Sequence, residues 1–166
     1  QPGLTPKQYQ TLWQQMFTRF TEDHDLHNLL WVYSANARLE DRVLAPLDMY
    51  PGNESVDVVG LDYYGPNIEE LNQRGCYDAL RSTGKVLALT EFGAKPMDGS
   101  LRVAPWVEAM ESQFPDFAYF VFWHSWPDHR VALGDLNEVD VLMSAPRLHH
   151  LRDVQAGIES AGASQQ

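Results

Sequence analysis

Glu91 closes an apolar run, Val86-Leu87-Ala88-Leu89-Thr90, and Gly93 follows shortly after. An uninterrupted apolar run of this length is what a parallel strand buried on both faces requires. A carboxylate at the C-terminal end of such a strand stands at the mouth of the sheet. Open α/β sheets and (β/α)8 barrels place their chemistry there. Gly93 would let the backbone turn sharply away from the strand. Three more runs end in groups able to converge on the same mouth: Leu29–Tyr33 ends in Tyr33 and Ser34, Val56–Tyr64 carries Asp62 and Tyr64, and Phe117–Trp123 ends in Trp123 and His124. A carboxylate, a phenol within hydrogen-bonding reach and exposed aromatic platforms suit a carbohydrate. Sugars offer hydroxyls to carboxylates and flat C–H faces to indole rings.

The elements that would carry these groups alternate. Thr5-Pro6-Lys7-Gln8 opens a helix, with Thr5 as cap, Pro6 at the first helical position and Gln8 completing a capping box. Tyr9, Leu12, Trp13, Met16, Phe17 and Phe20 then recur at helical spacing as one stripe that packs on a core. After Leu29–Tyr33 comes a long connection containing Tyr50-Pro51-Gly52-Asn53, and then Val56–Tyr64. Asn67 and Glu70 have capping-box spacing for a helix running to about Ser82, weakened by Gly75 and stopped by Gly84. After the strand ending at Glu91, a loop leads to a helix over 105–114 and then to Phe117–Trp123. A last helical stretch covers roughly 138–158, broken at Pro146. This order predicts a parallel sheet with right-handed crossovers. Links entering strands are short, whereas those leaving them are mostly long and polar, as at a face used for function.

Composition narrows the partners. A net charge of -11 over 166 residues argues against nucleic acid and does not favour an anionic membrane surface. Cys76 is the single cysteine, so no internal disulfide is possible. No run is long enough to span a bilayer. The chain opens on Gln1-Pro2-Gly3 with no signal peptide, which suggests a processed or excised piece. Metal chemistry finds little support. His124, Asp128 and His129 lack the helical i, i+4 pairing of a zinc motif, and His149 and His150 would point different ways on a helix. No cofactor is expected. Ser125 has no nucleophile elbow around it.

Several stretches together resemble glycoside hydrolase family 26: Asn28–Tyr33, Tyr50-Pro51-Gly52 followed by Val56–Tyr64, Leu89–Gly93 and Tyr119–Trp123. The resemblance runs in order from Thr5 to about Leu148. It implies a (β/α)8 barrel and a retaining endo-glycosidase, best known as a β-mannanase. It implies Glu91 as nucleophile, Tyr64 as the phenol bonded to it, and Trp123 as the floor of the subsite where the bond breaks. His124 stands where some relatives have arginine. Asp62 would orient its neighbours, and Tyr33 and Trp126 join His124 as further substrate contacts. A barrel of this type needs eight strands and typically about 250 residues, and four strands are legible here. The family's acid/base glutamate follows a histidine, and no His-Glu pair occurs in the sequence. Residues 1–158 are therefore expected to be the C-terminal half of a barrel, strands five to eight, with 159–166 a disordered tail. Glu40, Asp41 and Asp128 are the remaining carboxylates near the loops, none a convincing acid. The expected partners are a β-mannan or related polysaccharide and either an N-terminal half-barrel or a second copy of the chain. Family resemblance implies a secreted, periplasmic or cell-surface setting. Two other classes stay open: a non-catalytic carbohydrate-binding half-domain using Trp123 and Trp126, and a half-barrel that pairs with itself.

Overall fold

A computed structural model describes residues 3–37 and 45–149. Glu40 and Asp41, His150, and the expected tail at 159–166 lie outside them. Helix α1 (Pro6–Thr18) runs into a wider turn over Arg19–Asp23. Strand β1 (Val32–Asn36), β2 (Val58–Gly65), β3 (Val86–Ala94) and β4 (Phe117–Phe122) form one sheet in the order β1-β2-β3-β4, every pair parallel. Between β2 and β3 lie α2 (Glu70–Gln73) and α3 (Cys76–Arg81), between β3 and β4 lies α4 (Val103–Gln113), and α5 (Val139–Ser144) follows β4. Such connections put helices on one face of a parallel sheet, and the core forms between them.

The core follows from strand alternation. Val59, Leu61 and Tyr63 of β2, Leu87, Leu89 and Phe92 of β3, and Trp106 and Met110 of α4 are buried together. Trp106 packs edge-on to Phe120, with ring centroids 4.9 Å apart, and Phe92 packs edge-on to Phe122 at 5.2 Å. The capping box of α1 forms as expected: Thr5 Oγ1 accepts from the Gln8 amide, and the Thr5 amide donates to Gln8 Oε1. The turn at Tyr50-Pro51-Gly52 is tied to α1, because Gln14 Nε2 donates to Pro51 O at 2.8 Å and Trp13 Nε1 to Ser55 O at 3.0 Å.

Three expectations need correcting. The first strand begins at Val32, not Leu29. The Trp31 amide donates to Asp57 Oδ2 and its carbonyl accepts from the Asp57 amide, so regular pairing starts one residue later at Val32 against Val58. The single helix expected from Asn67 to Ser82 is two. Gly75 stands between them with φ 65°, a left-handed conformation that interrupts the ladder and that glycine adopts without steric cost. Asn67 Oδ1 accepts from the Glu69 amide rather than closing a capping box with Glu70. The last helix stops at Ser144, before Pro146, and its expected course from 150 to 158 lies outside the described residues.

The helical stripe of α1 is only half used. Tyr9 and Trp13 pack on the core, while Leu12, Met16 and Phe20 remain exposed. Among the described residues, the face of the sheet turned away from the helices is also open. Val32, Val86, Tyr119, Val121 and Trp123 are each at least 37% exposed, which leaves an uncovered apolar surface beside two sheet edges.

Candidate active site

One feature of β3 decides where Glu91 points. Strictly alternating residues would send Glu91 to the side of Leu87 and Leu89, into the core. Instead the pairing slips: Leu61 faces Leu89, but Asp62 faces Glu91, so Thr90 is an extra residue in β3. A bulge of this kind re-aims the side chains beyond it. Phe92 returns to the core side, and Thr90 and Glu91 both occupy the opposite face. Thr90 Oγ1 donates to Leu61 O at 2.9 Å and sits 2.6 Å from Ser34 Oγ. Since the Thr90 proton goes to Leu61, the Ser34 hydroxyl donates to Thr90. That bond pins the bulge across β1, β2 and β3.

Beyond the bulge, Tyr64 Oη donates to Glu91 Oε1 at 2.6 Å. Burial, followed by the hydrogen bond to Glu91 and the nearby negative charges of Glu91 and Asp62, pushes the Tyr64 phenol far above the usual range. It therefore remains a proton donor throughout neutral pH. Tyr64 and Glu91 line a cavity of about 590 Å³ at the C-terminal ends of the strands. Asn36 enters it from the end of β1 and Ala37 from the residue after it, and Asp62 and Gly65 from β2. Lys95, Met97 and Trp126 line it from the loops after β3 and β4.

Gly93 serves a different purpose from the turn expected of it. It lies inside β3 and pairs with Tyr64. A Cβ built on Gly93 would fall on Cε1 and Cδ1 of the Tyr64 ring, well inside van der Waals contact. The missing side chain is what lets the phenol lie across β3 and reach Glu91. Gly93→Ala is expected to force the ring away. Overpacking of this sort costs about 1–3 kcal/mol, read as a lowered denaturation midpoint. Loss of the Tyr64–Glu91 bond would be visible in a crystal structure of the variant. A variant with the ring and its bond unmoved would overturn this role for Gly93.

The other expected site residues are distributed unevenly. Tyr33 is buried: it packs against Tyr50 and Tyr9, and Oη donates to Pro46 O at 2.7 Å. It belongs to the layer under α1 and does not reach the mouth. The shift of β1 explains this, since Tyr33 becomes the second residue of the strand rather than its end. Asn36 and Ala37 take that place, and the misplaced strand end hid them from the sequence. Asp62 lines the cavity next to Glu91. Trp123 stands exposed at the end of β4, its amide bonded to Phe92 O at 2.8 Å, but does not line the cavity. His124 is exposed and does not line it either, whereas Trp126 does. Asp128 sits at the tip of an exposed turn with φ 68°. Among the described residues no cluster of three His, Cys, Asp or Glu side chains could hold a metal ion. No described helix is long and apolar enough to cross a membrane.

Known proteins resemble this chain over most of its length. The sequence profile of glycosyl hydrolase family 26 matches residues 2–134. A mannan endo-1,4-beta-mannosidase of Bacillus subtilis (strain 168) is 32% identical over 116 residues, 70% of this chain and 30% of that protein. A mannan endo-1,4-beta-mannosidase A and B of Caldalkalibacillus mannanilyticus is 32% identical over 123 residues, 73% of this chain and 23% of that one. Among solved structures, the YdhT protein from Bacillus subtilis superposes with a TM-score of 0.71 at 28% identity, covering 84% of this chain and 38% of its own. The Bacillus subtilis mannanase BCman gives 0.69 at 27% identity with the same coverage. This chain therefore spans well under half the length of each of these relatives.

Proposed function

The chain belongs to glycosyl hydrolase family 26, and from that premise we propose that it carries the nucleophile half of a retaining endo-β-mannanase, a (β/α)8 enzyme whose strands five to eight fall within residues 1–158. The observation that carries the reading is the 2.6 Å bond from Tyr64 Oη to Glu91 Oε1 at the ends of two adjacent strands, inside a cavity. The substrate class rests on the mannanases among the relatives. The setting in which such a polysaccharide is met, outside the cytoplasm, follows from the same reading.

The chemistry is a double displacement. One Glu91 carboxylate oxygen attacks the anomeric carbon of the sugar as the glycosidic bond breaks. A protonated carboxyl from outside this chain gives its proton to the departing oxygen. Water then releases the sugar from Glu91 with that same carboxyl as base. Tyr64 holds Glu91 in one rotamer and supplies a hydrogen bond to the ionised carboxylate. Asp62, beside it, keeps its neighbours oriented. Trp123, exposed just beyond β4 and outside the lining of that cavity, is the residue to which the family resemblance assigns the floor under the reacting sugar.

Assays of the protein carrying the whole barrel on β-1,4-mannan, β-1,3-xylan and mixed-linkage glucan test this directly. Release of reducing ends from mannan in preference to the other two is expected, and cleavage of none of them would defeat the reading. Tyr64→Phe is expected to lower kcat about ten- to a hundredfold, since a hydrogen bond to a charged group is worth about 1.5–3 kcal/mol. Unchanged kcat in that variant would remove Tyr64 from the mechanism. A self-pairing or purely carbohydrate-binding half-barrel is the second reading, favoured by the exposed apolar inner face at Tyr119, Val121 and Trp123.

A further inference from the structure

We propose that Trp126, Lys95 and Met97 form an outer sugar subsite of this cleft, and that Ser125 is the positioning residue that sets its aromatic wall. The inference rests on the cleft being a polysaccharide site, as argued above, and adds a place for a second pyranose ring away from Glu91.

The loops after β3 and β4 form one stitched wall. Arg130 N donates to Met97 O at 2.8 Å, Asn137 Nδ2 to Gly99 O at 3.2 Å, and Asn137 N to Leu101 O at 3.1 Å. Trp126 projects from this wall on a tight turn, Trp126-Pro127-Asp128-His129. Its ends exchange hydrogen bonds, Trp126 N to His129 O at 3.1 Å and His129 N to Trp126 O at 2.9 Å. Pro127 at the second position and Asp128 with φ 68° at the third suit a turn of type II. This geometry lays the His129 imidazole on the Trp126 indole, with centroids 4.7 Å apart and planes 14° from parallel. One indole face is thus covered. The ring stays 40% exposed and lines the cavity, which leaves the opposite face for the apolar side of a sugar.

Ser125 locks this turn at its base. Its hydroxyl donates to Asp135 Oδ2 at 2.6 Å and accepts from the amides of Val131 at 3.0 Å and Ala132 at 2.9 Å. One side chain therefore ties the residue before the turn to two residues just beyond it and to the carboxylate of Asp135. Val131 is fully buried, so the tie is anchored in the protein. Lys95, which lines the same cavity as Trp126, is exposed and enters no ion pair among the described residues. Its ammonium has three protons to donate and no acceptor of its own. Met97 adds an adaptable apolar surface. An aromatic face, a flexible apolar contact and a donor cation without a carboxylate partner fit a neutral hexopyranose, whose hydroxyls accept from the ammonium while its ring lies on the indole.

The test is calorimetric binding of mannohexaose, cellohexaose and mannotriose to the protein with its whole barrel and to its variants. Trp126→Ala is expected to raise the hexasaccharide Kd about tenfold or more, with a smaller effect on the trisaccharide, since roughly 1.4 kcal/mol of lost stacking is a tenfold change. Ser125→Ala is expected to raise it about three- to tenfold, and Ser125→Thr, which keeps the hydroxyl, to restore it. The decisive measurement is the double variant: Ser125→Ala should add nothing once Trp126 is alanine, because both act through one ring. His129→Ala, on the exposed turn, gives a second approach to the same ring if Ser125→Ala fails to fold, and should weaken hexasaccharide binding severalfold. Additive losses in the double variant, unchanged Kd in Trp126→Ala, or no binding of either hexasaccharide by the unsubstituted protein would overturn the subsite. Hexasaccharide binding that follows this pattern without mannan cleavage would instead leave the subsite standing and refute the proposed enzyme.

Discussion

Glu91→Ala in the protein carrying the whole barrel is expected to lower kcat on mannan by on the order of 10⁴-fold or more, while leaving binding of manno-oligosaccharides nearly intact. Removing a nucleophile takes away the covalent intermediate and with it the lower-barrier route, and such losses are among the largest measured for single substitutions. Affinity is expected to come from other groups, the indole of Trp126 and the hydroxyl partners along the cleft. The alanine also vacates the space beneath the anomeric carbon. Azide added to the variant can attack from that side, displacing a good leaving group and giving a glycosyl azide of inverted configuration. The position of Glu91 makes this expectation specific, because its Oε1 is held by Tyr64 at 2.6 Å at the cavity wall. Turnover of mannan at the ordinary rate by Glu91→Ala would sink the assignment. Rescue by azide would support it in a way that a merely misfolded variant could not imitate.

The second large effect concerns the chain on its own. The 166 residues are expected not to hydrolyse mannan at an enzymatic rate and to associate in solution. Protonation of the leaving oxygen is worth roughly 10²–10⁴-fold, and no described carboxylate besides Asp62 shares the cavity with Glu91. The positioning of a sugar between two walls contributes more still, and one wall alone cannot supply it. The relatives are far longer, this chain covering 30% of the Bacillus subtilis mannan endo-1,4-beta-mannosidase and 38% of the YdhT protein. The exposed surface points the same way. Among the described residues β1 and β4 are open edges, the inner face presents Val32, Tyr119, Val121 and Trp123, and α1 with the turn after it presents Leu12, Met16 and Phe20. Such edges and patches favour pairing with a further chain. Sedimentation velocity and manno-oligosaccharide cleavage, each with and without the complementary half of the barrel, test both parts. Robust cleavage by a verified monomer of this chain would refute the expectation and make Asp62 the first candidate for the acid.

Much of this was legible in the residues because local rules and tertiary packing agree. The Thr5 capping box, the alternating order of strands and helices, the stop at Gly84 and the interruption at Pro146 are set by backbone conformations and hydrogen bonds that span a few residues. The placing of Glu91, Tyr64 and Asp62 in the C-terminal halves of strands followed from apolar runs long enough to be strands, although β3 runs on past Glu91 to Ala94. The fold class, an α/β barrel type with only part of the barrel in the chain, agrees with the parallel sheet and with the coverage of the family's known structures.

What the tertiary structure alone decided is the phase of each element relative to its neighbours. Leu29, Leu30 and Trp31 are as strand-like as Val32, yet a strand begins only where a partner offers its hydrogen bonds, and Asp57 takes those of Trp31. That shift of three residues moves Tyr33 from the mouth to the layer under α1 and brings Asn36 to the cleft. The bulge at Thr90 is a second case. Apolar spacing of two from Leu87 to Leu89 and of three from Leu89 to Phe92 is written in the sequence. Its meaning, that Glu91 faces the cavity rather than the core, depends on how β3 pairs with β2. Gly93 is a third, since its need to be glycine comes from a ring on another strand. Periodicity along one chain specifies the type of an element. Its register, and therefore which side chains meet, is a property of two chain segments at once, and the hydrogen-bond partners that set it lie tens of residues away.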